Sequence, residues 1–183
     1  MIVRSADPER DAAACAAIYA PYVSDSVISF EETPPDADEF ARRIGAAHCW
    51  LVAEQGGATV GYAYAAPHAE RAAYRWAADV AVYIDAAHHR AGIGRALYTR
   101  LFGQLRELGL WTLCAGITLP NGASGALHRS LGFTPVGTYR RIGWKAGAWR
   151  DVEWLQLDLR AGEDGPPAEP AGAPAPRKKA TNA

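Results

Sequence analysis

The chain of 183 residues is poor in cysteine and methionine, with three and one, and it lacks any long apolar run or excess of one charge. Cys15, Cys49 and Cys114 are odd in number, far apart and set among apolar neighbours. They fit neither a disulfide framework nor a metal knuckle, and read as reduced core thiols of a cytoplasmic protein. No apolar stretch approaches the roughly 20 residues of a membrane-spanning helix, and no basic-then-apolar leader precedes Ile2. Lys plus Arg number 19 against 20 Asp plus Glu, a net charge of −1, so nothing electrostatic favours nucleic acid or an anionic membrane as partner. His48, His68 and His88 are scattered without metal-ligand spacing. They read as surface or strand-edge residues, and no metal is expected.

What the chain does contain is a core. Hydrophobic residues make up 49%, with six Trp, enough for one well-packed domain. Composition changes near residue 160. From Ala161 to Ala183 the chain is mostly Ala, Pro and Gly, closing with Arg177-Lys178-Lys179. Such a segment buries too little apolar surface to offset its ordering entropy, so a domain over 1–160 and a disordered tail over 161–183 are expected. Periodicity and punctuation predict a strand at Ile2–Arg4, then a helix capped by Asp7-Pro8 that stops by Pro21. An extended Val27–Phe30, a short helix Asp36–Ile44 and a hairpin Cys49–Glu54/Thr59–Ala66 follow. Ala77–Ile84 is a strand and Gly92–Leu108 a helix with Ile93, Leu97, Leu101, Leu105 and Leu108 on one face. Strand Trp111–Ile117, helix Asn121–Leu131 and strands Thr134–Ile142 and Val152–Leu159 complete a mixed α/β order, with Trp144–Trp149 as a loop.

The stretch Val82-Tyr-Ile-Asp-Ala-Ala-His-His-Arg-Ala-Gly-Ile-Gly-Arg95 carries the first chemical signal. An apolar strand enters a short turn, and Gly92 and Gly94 open a helix at once. Glycines let the backbone approach a ligand, and the first helical turn presents unpaired N–H groups at the positive end of the helix dipole. That is a cradle for phosphate or pyrophosphate. A P-loop is excluded because Arg95-Ala96 follows Gly94 where Lys-Ser/Thr is required. A dinucleotide fingerprint is excluded because Leu97 stands where a third Gly or Ala belongs, and no acidic residue ends the next strand.

Three strands in succession before a Gly-x-Gly helix resemble the GNAT superfamily of N-acetyltransferases. Its cradle pattern, Gln/Arg-x-x-Gly-x-Gly/Ala, falls on His89-Arg90-Ala91-Gly92-Ile93-Gly94, with His89 departing at the first position. Asn121, Leu127-His128 and Leu131-Gly132-Phe133 match the superfamily's later helix element. More narrowly, Phe30-Glu31, Trp50–Glu54, Gly61–Pro67, Arg71–Trp76, Leu119-Pro-Asn121 and Gly143–Asp151 are similar to the phosphinothricin (L-amino acid) N-acetyltransferase family, in order over positions 2–159.

The resemblance implies an α/β fold with a mostly antiparallel sheet flanked by helices, its fourth and fifth strands splayed. It implies acetyl-CoA as cosubstrate, a small amino acid or analogue as acceptor, and a homodimer. The amides of Arg90, Ala91, Gly92, Ile93, Gly94 and Arg95 would hold the pyrophosphate. Val82, Tyr83 and Ile84 would hold the pantetheine and thioester, and Asn121 a pantetheine amide. Asp79 matches the family's base, a Glu, with His128 the second candidate for the proton acceptor; the plain alternative for Asp79 is a strand-end acid paired with Arg75 or capping a loop. His128 stands where many GNAT enzymes place a Tyr that protonates the leaving thiolate, and its plain alternative is a solvent-facing helical His. Arg71 and Tyr74 match residues that bind the acidic end of the acceptor, with Phe30 and Glu31 lining the same pocket. The loop Gly143–Asp151 resembles one that closes the site. Tyr98 lies on an apolar helix face and reads as core. The other readings left open are acetylation of a peptide N-terminus or an aminoglycoside, and a non-catalytic acetyl-CoA-binding regulatory domain.

Overall fold

The computed structural model describes residues 1–164 and 167–171. Its elements are β1 Ile2–Ser5, α1 Pro8–Ser24, α2 Ala37–Ala46, β2 Cys49–Gln55, β3 Ala58–Pro67, β4 Ala77–Ile84, α3 Ile93–Glu107, β5 Thr112–Thr118, α4 Gly122–Ser130, β6 Thr134–Lys145 and β7 Ala148–Asp158. The strands form one sheet in the order β1-β2-β3-β4-β5-β7-β6. Its β4–β5 pair is parallel and the other pairs are antiparallel.

Strand period places a core on each face of this sheet. On β2, Leu51 and Ala53 join Leu97, Tyr98, Leu101 and Leu105 of α3. Their neighbours Trp50 and Val52 join Cys15 and Val23 of α1 and Phe40 of α2 on the opposite face. Burial on both faces is why β2 and β3 read as near-continuous apolar runs.

The β4–β5 pair positions the site. Its register runs Ala77–Thr112, Ala78–Leu113, Asp79–Cys114 and then stops. Beyond that point β4 continues to Ile84 and β5 to Thr118 without pairing to each other, so the sheet opens into a V.

Three expectations need correction. α1 runs through Pro21 to Ser24. Proline there removes one i→i−4 bond, but tertiary contacts hold the last turn: Val23 is 1% exposed, and the Tyr22 hydroxyl donates to the Ile84 carbonyl at 2.6 Å. Trp144–Trp149 is not a loop. β6 and β7 continue into it and close on Ala146-Gly147, whose positive φ angles of 50° and 70° fit a primed hairpin turn. The indoles of Trp144 and Trp149 pack edge-to-face across it, centroids 5.4 Å apart. Lastly, part of the segment expected to be disordered lies against the domain. Trp76 Nε1 donates to the Ala168 carbonyl at 2.8 Å, and the Ala171 N–H to that of Leu108, also at 2.8 Å. Pro170 is buried over Gly109. Residues 165–166 and 172–183 lie outside the described residues.

Candidate active site

The V between β4 and β5 forms a cleft of about 540 Å³, floored by Val80–Ile84 and Ala115–Thr118 and closed at one end by the start of α3. Gly92 caps α3 at φ 77°, a left-handed conformation, and offers no side-chain acceptor. The first helical bond runs from the Ala96 N–H to the Gly92 carbonyl at 3.1 Å. The N–H groups of Ile93, Gly94 and Arg95 therefore have no helical partner. A Cβ built at Gly92 meets nothing within 4 Å, so the space before these groups is open. At Gly94 a Cβ would lie 3.1 Å from Leu127, so glycine there lets α3 approach α4. Arg90 holds φ 63°, the strained backbone typical of ligand-holding turns. Arg90 and Gly92–Arg95 line the cleft. Ala91 is exposed beside it and does not.

Along β4 the amides divide by period. The Asp85 N–H is bonded to the Val60 carbonyl of β3 at 2.9 Å. Alternation therefore turns the Tyr83 N–H toward β3, and those of Val82 and Ile84 toward the cleft. The Ile84 N–H already meets the Tyr22 hydroxyl at 3.3 Å. Of the three residues expected to bind pantetheine, Val82 alone keeps an uncommitted N–H on the cleft side. The irregular His89 has a structural explanation. Its Nε2 lies 3.0 Å from the Ile84 carbonyl and 3.1 Å from the Tyr22 hydroxyl, tying the cradle to the end of β4.

Asn121 does two things at once. Its Oδ1 caps α4 by accepting the Ser124 N–H at 3.1 Å, while the residue lines the cleft. His128 also lines the cleft but is only 3% exposed, contrary to a solvent-facing helical position. Its Nδ1 lies 2.8 Å from the Ser124 carbonyl and 3.3 Å from the Ser124 hydroxyl. Its Nε2 lies 3.0 Å from the hydroxyl of Tyr98. The arrangement is that of a neutral imidazole donating at Nδ1 and accepting at Nε2. Burial lowers its pKa in agreement. Tyr98 is fully buried as expected, and its hydroxyl is what orients His128.

Asp79 lies outside this cleft, at the last paired position of β4. Its neighbours Ala78 and Val80 face the α3 core, so its side chain projects from the opposite face. It is not paired with Arg75, which bonds Glu169 at 2.5 Å. Its partner is His68, Nδ1 to Oδ1 at 2.6 Å. Burial raises the Asp79 pKa, and the bond to His68 opposes that rise. Cys114 stands opposite on β5, with its thiol pushed up to about 11, first by burial and then by the Asp79 charge. Ligand-type atoms of His68, Asp79 and Cys114 lie within 4.8 Å of one another, the one such cluster among the described residues. Reading His68 as a surface or strand-edge residue missed this. The signal available was the β3–β4 register: with Pro67 opposite Ala78, residue 68 is a diagonal neighbour of 79 on one face.

The remaining expected residues surround this face without converging on it. Tyr74 sits with its ring 5.8 Å from His68. Arg71 is exposed at the start of the 3-10 turn 72–74, with no side-chain hydrogen bond or ion pair among the described residues. Phe30 packs over Gly143 of β6, where a Cβ would collide with its ring at 2.3 Å. The Glu31 carboxylate is already occupied: Arg43 donates to it at 2.8 and 3.2 Å and the Tyr19 hydroxyl at 3.1 Å. Lys145 holds the Glu31 carbonyl at 2.6 Å, binding the α1–α2 loop to the β6–β7 hairpin.

A backbone cradle at a helix start, beside a V in a mixed sheet, defines the acetyltransferase class. Residues 4–154 match the acetyltransferase (GNAT) domain family. The chain is 38% identical over 152 residues to the phosphinothricin N-acetyltransferase of Streptomyces viridochromogenes, covering 81% of this chain and 83% of that protein. It is 33% identical over 163 residues to the L-methionine sulfoximine/L-methionine sulfone acetyltransferase of Salmonella typhimurium, covering 87% and 95%. The structure of a GNAT superfamily phosphinothricin acetyltransferase from Sinorhizobium meliloti, in complex with acetyl-CoA, matches with a TM-score of 0.86 at 34% identity, covering 92% of this chain and 93% of that one. The chain belongs to the GNAT N-acetyltransferases, and within them to the phosphinothricin N-acetyltransferase family.

Proposed function

We propose that the protein transfers the acetyl group of acetyl-CoA to the α-amino group of a small amino acid or analogue, of the phosphinothricin or methionine sulfoximine type. Transfer is by direct attack in a ternary complex. The observation that carries this reading is the splay itself. On one side it opens to the cradle of Gly92–Arg95, and at its closed end stands Asp79 on the other face.

Unpaired N–H groups of Ile93, Gly94 and Arg95 fit a pyrophosphate, and the Val82 N–H and Asn121 fit the amides of a pantetheine arm. When bound, acetyl-CoA supplies the thioester whose carbonyl carbon is attacked. Asp79 stands on the base side, and Arg71 with Tyr74 grips the acidic end of the acceptor, guanidinium to carboxylate or to an oxidised phosphorus or sulfur group. Phe30 borders that pocket; Glu31, occupied by Arg43, holds the loop that carries it. His128 is assigned the proton delivered to the leaving thiolate, through Ser124, which lines the cleft beside it. Direct transfer is favoured because the Cys114 thiol, pushed up to about 11, stays protonated at neutral pH and is a weak nucleophile for an acyl-enzyme.

The protein works as a cytoplasmic homodimer. Val136, Tyr139, Ile142, Trp144 and Trp149 leave an exposed apolar strip on the β6–β7 hairpin, which supports self-association. Its three cysteines are free, which suits a reducing compartment. Light scattering on the purified protein tests the dimer; a monomer at micromolar concentration would count against it.

The test of activity is thiol release from acetyl-CoA with a panel of amino acids, methionine sulfoximine and phosphinothricin, beside peptides and an aminoglycoside. Release with a small anionic amino acid supports the reading. Release only with peptides or an aminoglycoside, or acetyl-CoA binding with no release at all, would overturn it.

A further inference from the structure

We propose that His68, held by Asp79, is the group that takes the proton from the attacking amine, with Asp79 acting as a positioning residue. The assignment rests on the transfer reaction proposed above and names its base. His68 Nδ1 lies 2.6 Å from Asp79 Oδ1. An ionised carboxylate only accepts, so Nδ1–H donates and Nε2 keeps its lone pair. Nε2 has no hydrogen-bond partner among the described residues. With side chains 31% and 38% exposed, both groups are reachable from solvent.

Position supports the role. Asp79–Cys114 is the last pair before the strands part, and the next residues along, Val80 and Ala115, line the cleft. The dyad therefore sits at the closed end of the V, on the face away from α3. Two aromatic contacts hold the imidazole there. Tyr74 packs edge-on at 5.8 Å, and Trp154 of β7 at 6.2 Å and 87°. The Trp154 ring in turn reaches within 3.2 Å of a Cβ position built on Gly116, itself part of the cleft wall. This links the histidine to the thioester side through one ring.

The dyad also explains how an aspartate serves at this position. One carboxylate oxygen is committed to Nδ1, where it fixes the tautomer and stabilises the imidazolium that forms. The proton leaves the substrate ammonium for His68 Nε2, and the freed lone pair forms the N–C bond at the thioester carbonyl carbon. The nitrogen of the tetrahedral adduct gives up a second proton as the C–S bond breaks with its electron pair on sulfur, and that proton ends on the sulfur, leaving the neutral amide and the thiol. Among the described residues, the other titratable groups near the dyad include Cys114 on β5, Tyr74 in the 72–74 turn and Tyr64 on β3.

His68→Ala should lower kcat by about a hundredfold or more, with the dissociation constant for acetyl-CoA, measured by direct titration, within twofold of wild type. Added imidazole should restore part of that kcat, an effect that lost packing would not give. Asp79→Glu should recover more activity than Asp79→Ala. Independently of turnover, the 15N spectrum of His68 should show Nδ1 protonated and Nε2 bare in the wild type, shifting toward the Nε2–H form in Asp79→Ala. If wild type acetylates no amino acid, the transfer reading falls while the tautomer still decides the dyad. Retention of more than a third of kcat in His68→Ala, or an Nε2–H tautomer in the wild type, would overturn the proposal. So would loss of activity on chelation that is restored by Zn²⁺ alone, which would assign His68, Asp79 and Cys114 to a metal.

Discussion

The two sides of the β4–β5 splay are built from different materials. On the α3 side the groups proposed to bind are main-chain amides, placed by a helix start and two glycines within a dozen residues of sequence. On the far side they are side chains drawn from the end of β3, the 72–74 turn, β4, β5 and β7. In the proposed reaction, backbone groups recognise what phosphate and pantetheine arms share, and side chains choose one acceptor and move one proton. The difference teaches where variation is tolerated: the first side depends on conformation, the second on the identity of single residues.

Four substitutions test that contrast. The largest effect is expected for Gly92→Val. A β-branched residue in the left-handed region costs about 1–2 kcal/mol, and the turn it disturbs aims three N–H groups. Acetyl-CoA affinity should fall at least tenfold by titration, with the amino acid KM little changed. Arg71→Ala should do the reverse. Loss of a charge-assisted contact worth about 1.5 kcal/mol raises the amino acid KM about tenfold, at constant acetyl-CoA affinity, in two-substrate kinetics.

A smaller effect belongs to His128. Burial lowers its folded-state pKa below the unfolded value of 6.5, so the unfolded chain binds the proton more readily. Its contribution to stability is complete above 6.5 and is lost as the pH falls from there toward the folded pKa. Urea midpoints should drop over that window in wild type, and the slope should be shallower in His128→Phe. The smallest is Trp76→Phe, which removes the bond to the Ala168 carbonyl. About 1 kcal/mol, or roughly 2–4 °C in Tm, is expected with kcat unchanged.

The same contrast explains what could be read from the chain. The strand-turn-helix that carries Gly92 and Gly94 was legible because its parts are consecutive. The element order was legible because burial on one helix face and two strand faces leaves periods in the sequence, as in Ile93, Leu97, Leu101 and Leu105. Local signals failed where tertiary contacts outweighed them. Pro21 does not end α1, because Val23 and Tyr22 anchor the turn beyond it. Ala168–Ala171 dock because Trp76 and Gly109 receive them. His68 was not singled out because its meaning lies in a diagonal across a hairpin, eleven residues from Asp79. Likewise the Glu31 carboxylate gave no hint in sequence that Arg43 had claimed it.

The division of labour is tested most directly by titrating acetyl-CoA into three proteins: wild type, Gly92→Val and His68→Ala. Gly92→Val is expected to bind at least tenfold more weakly and His68→Ala within twofold of wild type. Equal losses in both variants, or unchanged binding by Gly92→Val, would contradict it.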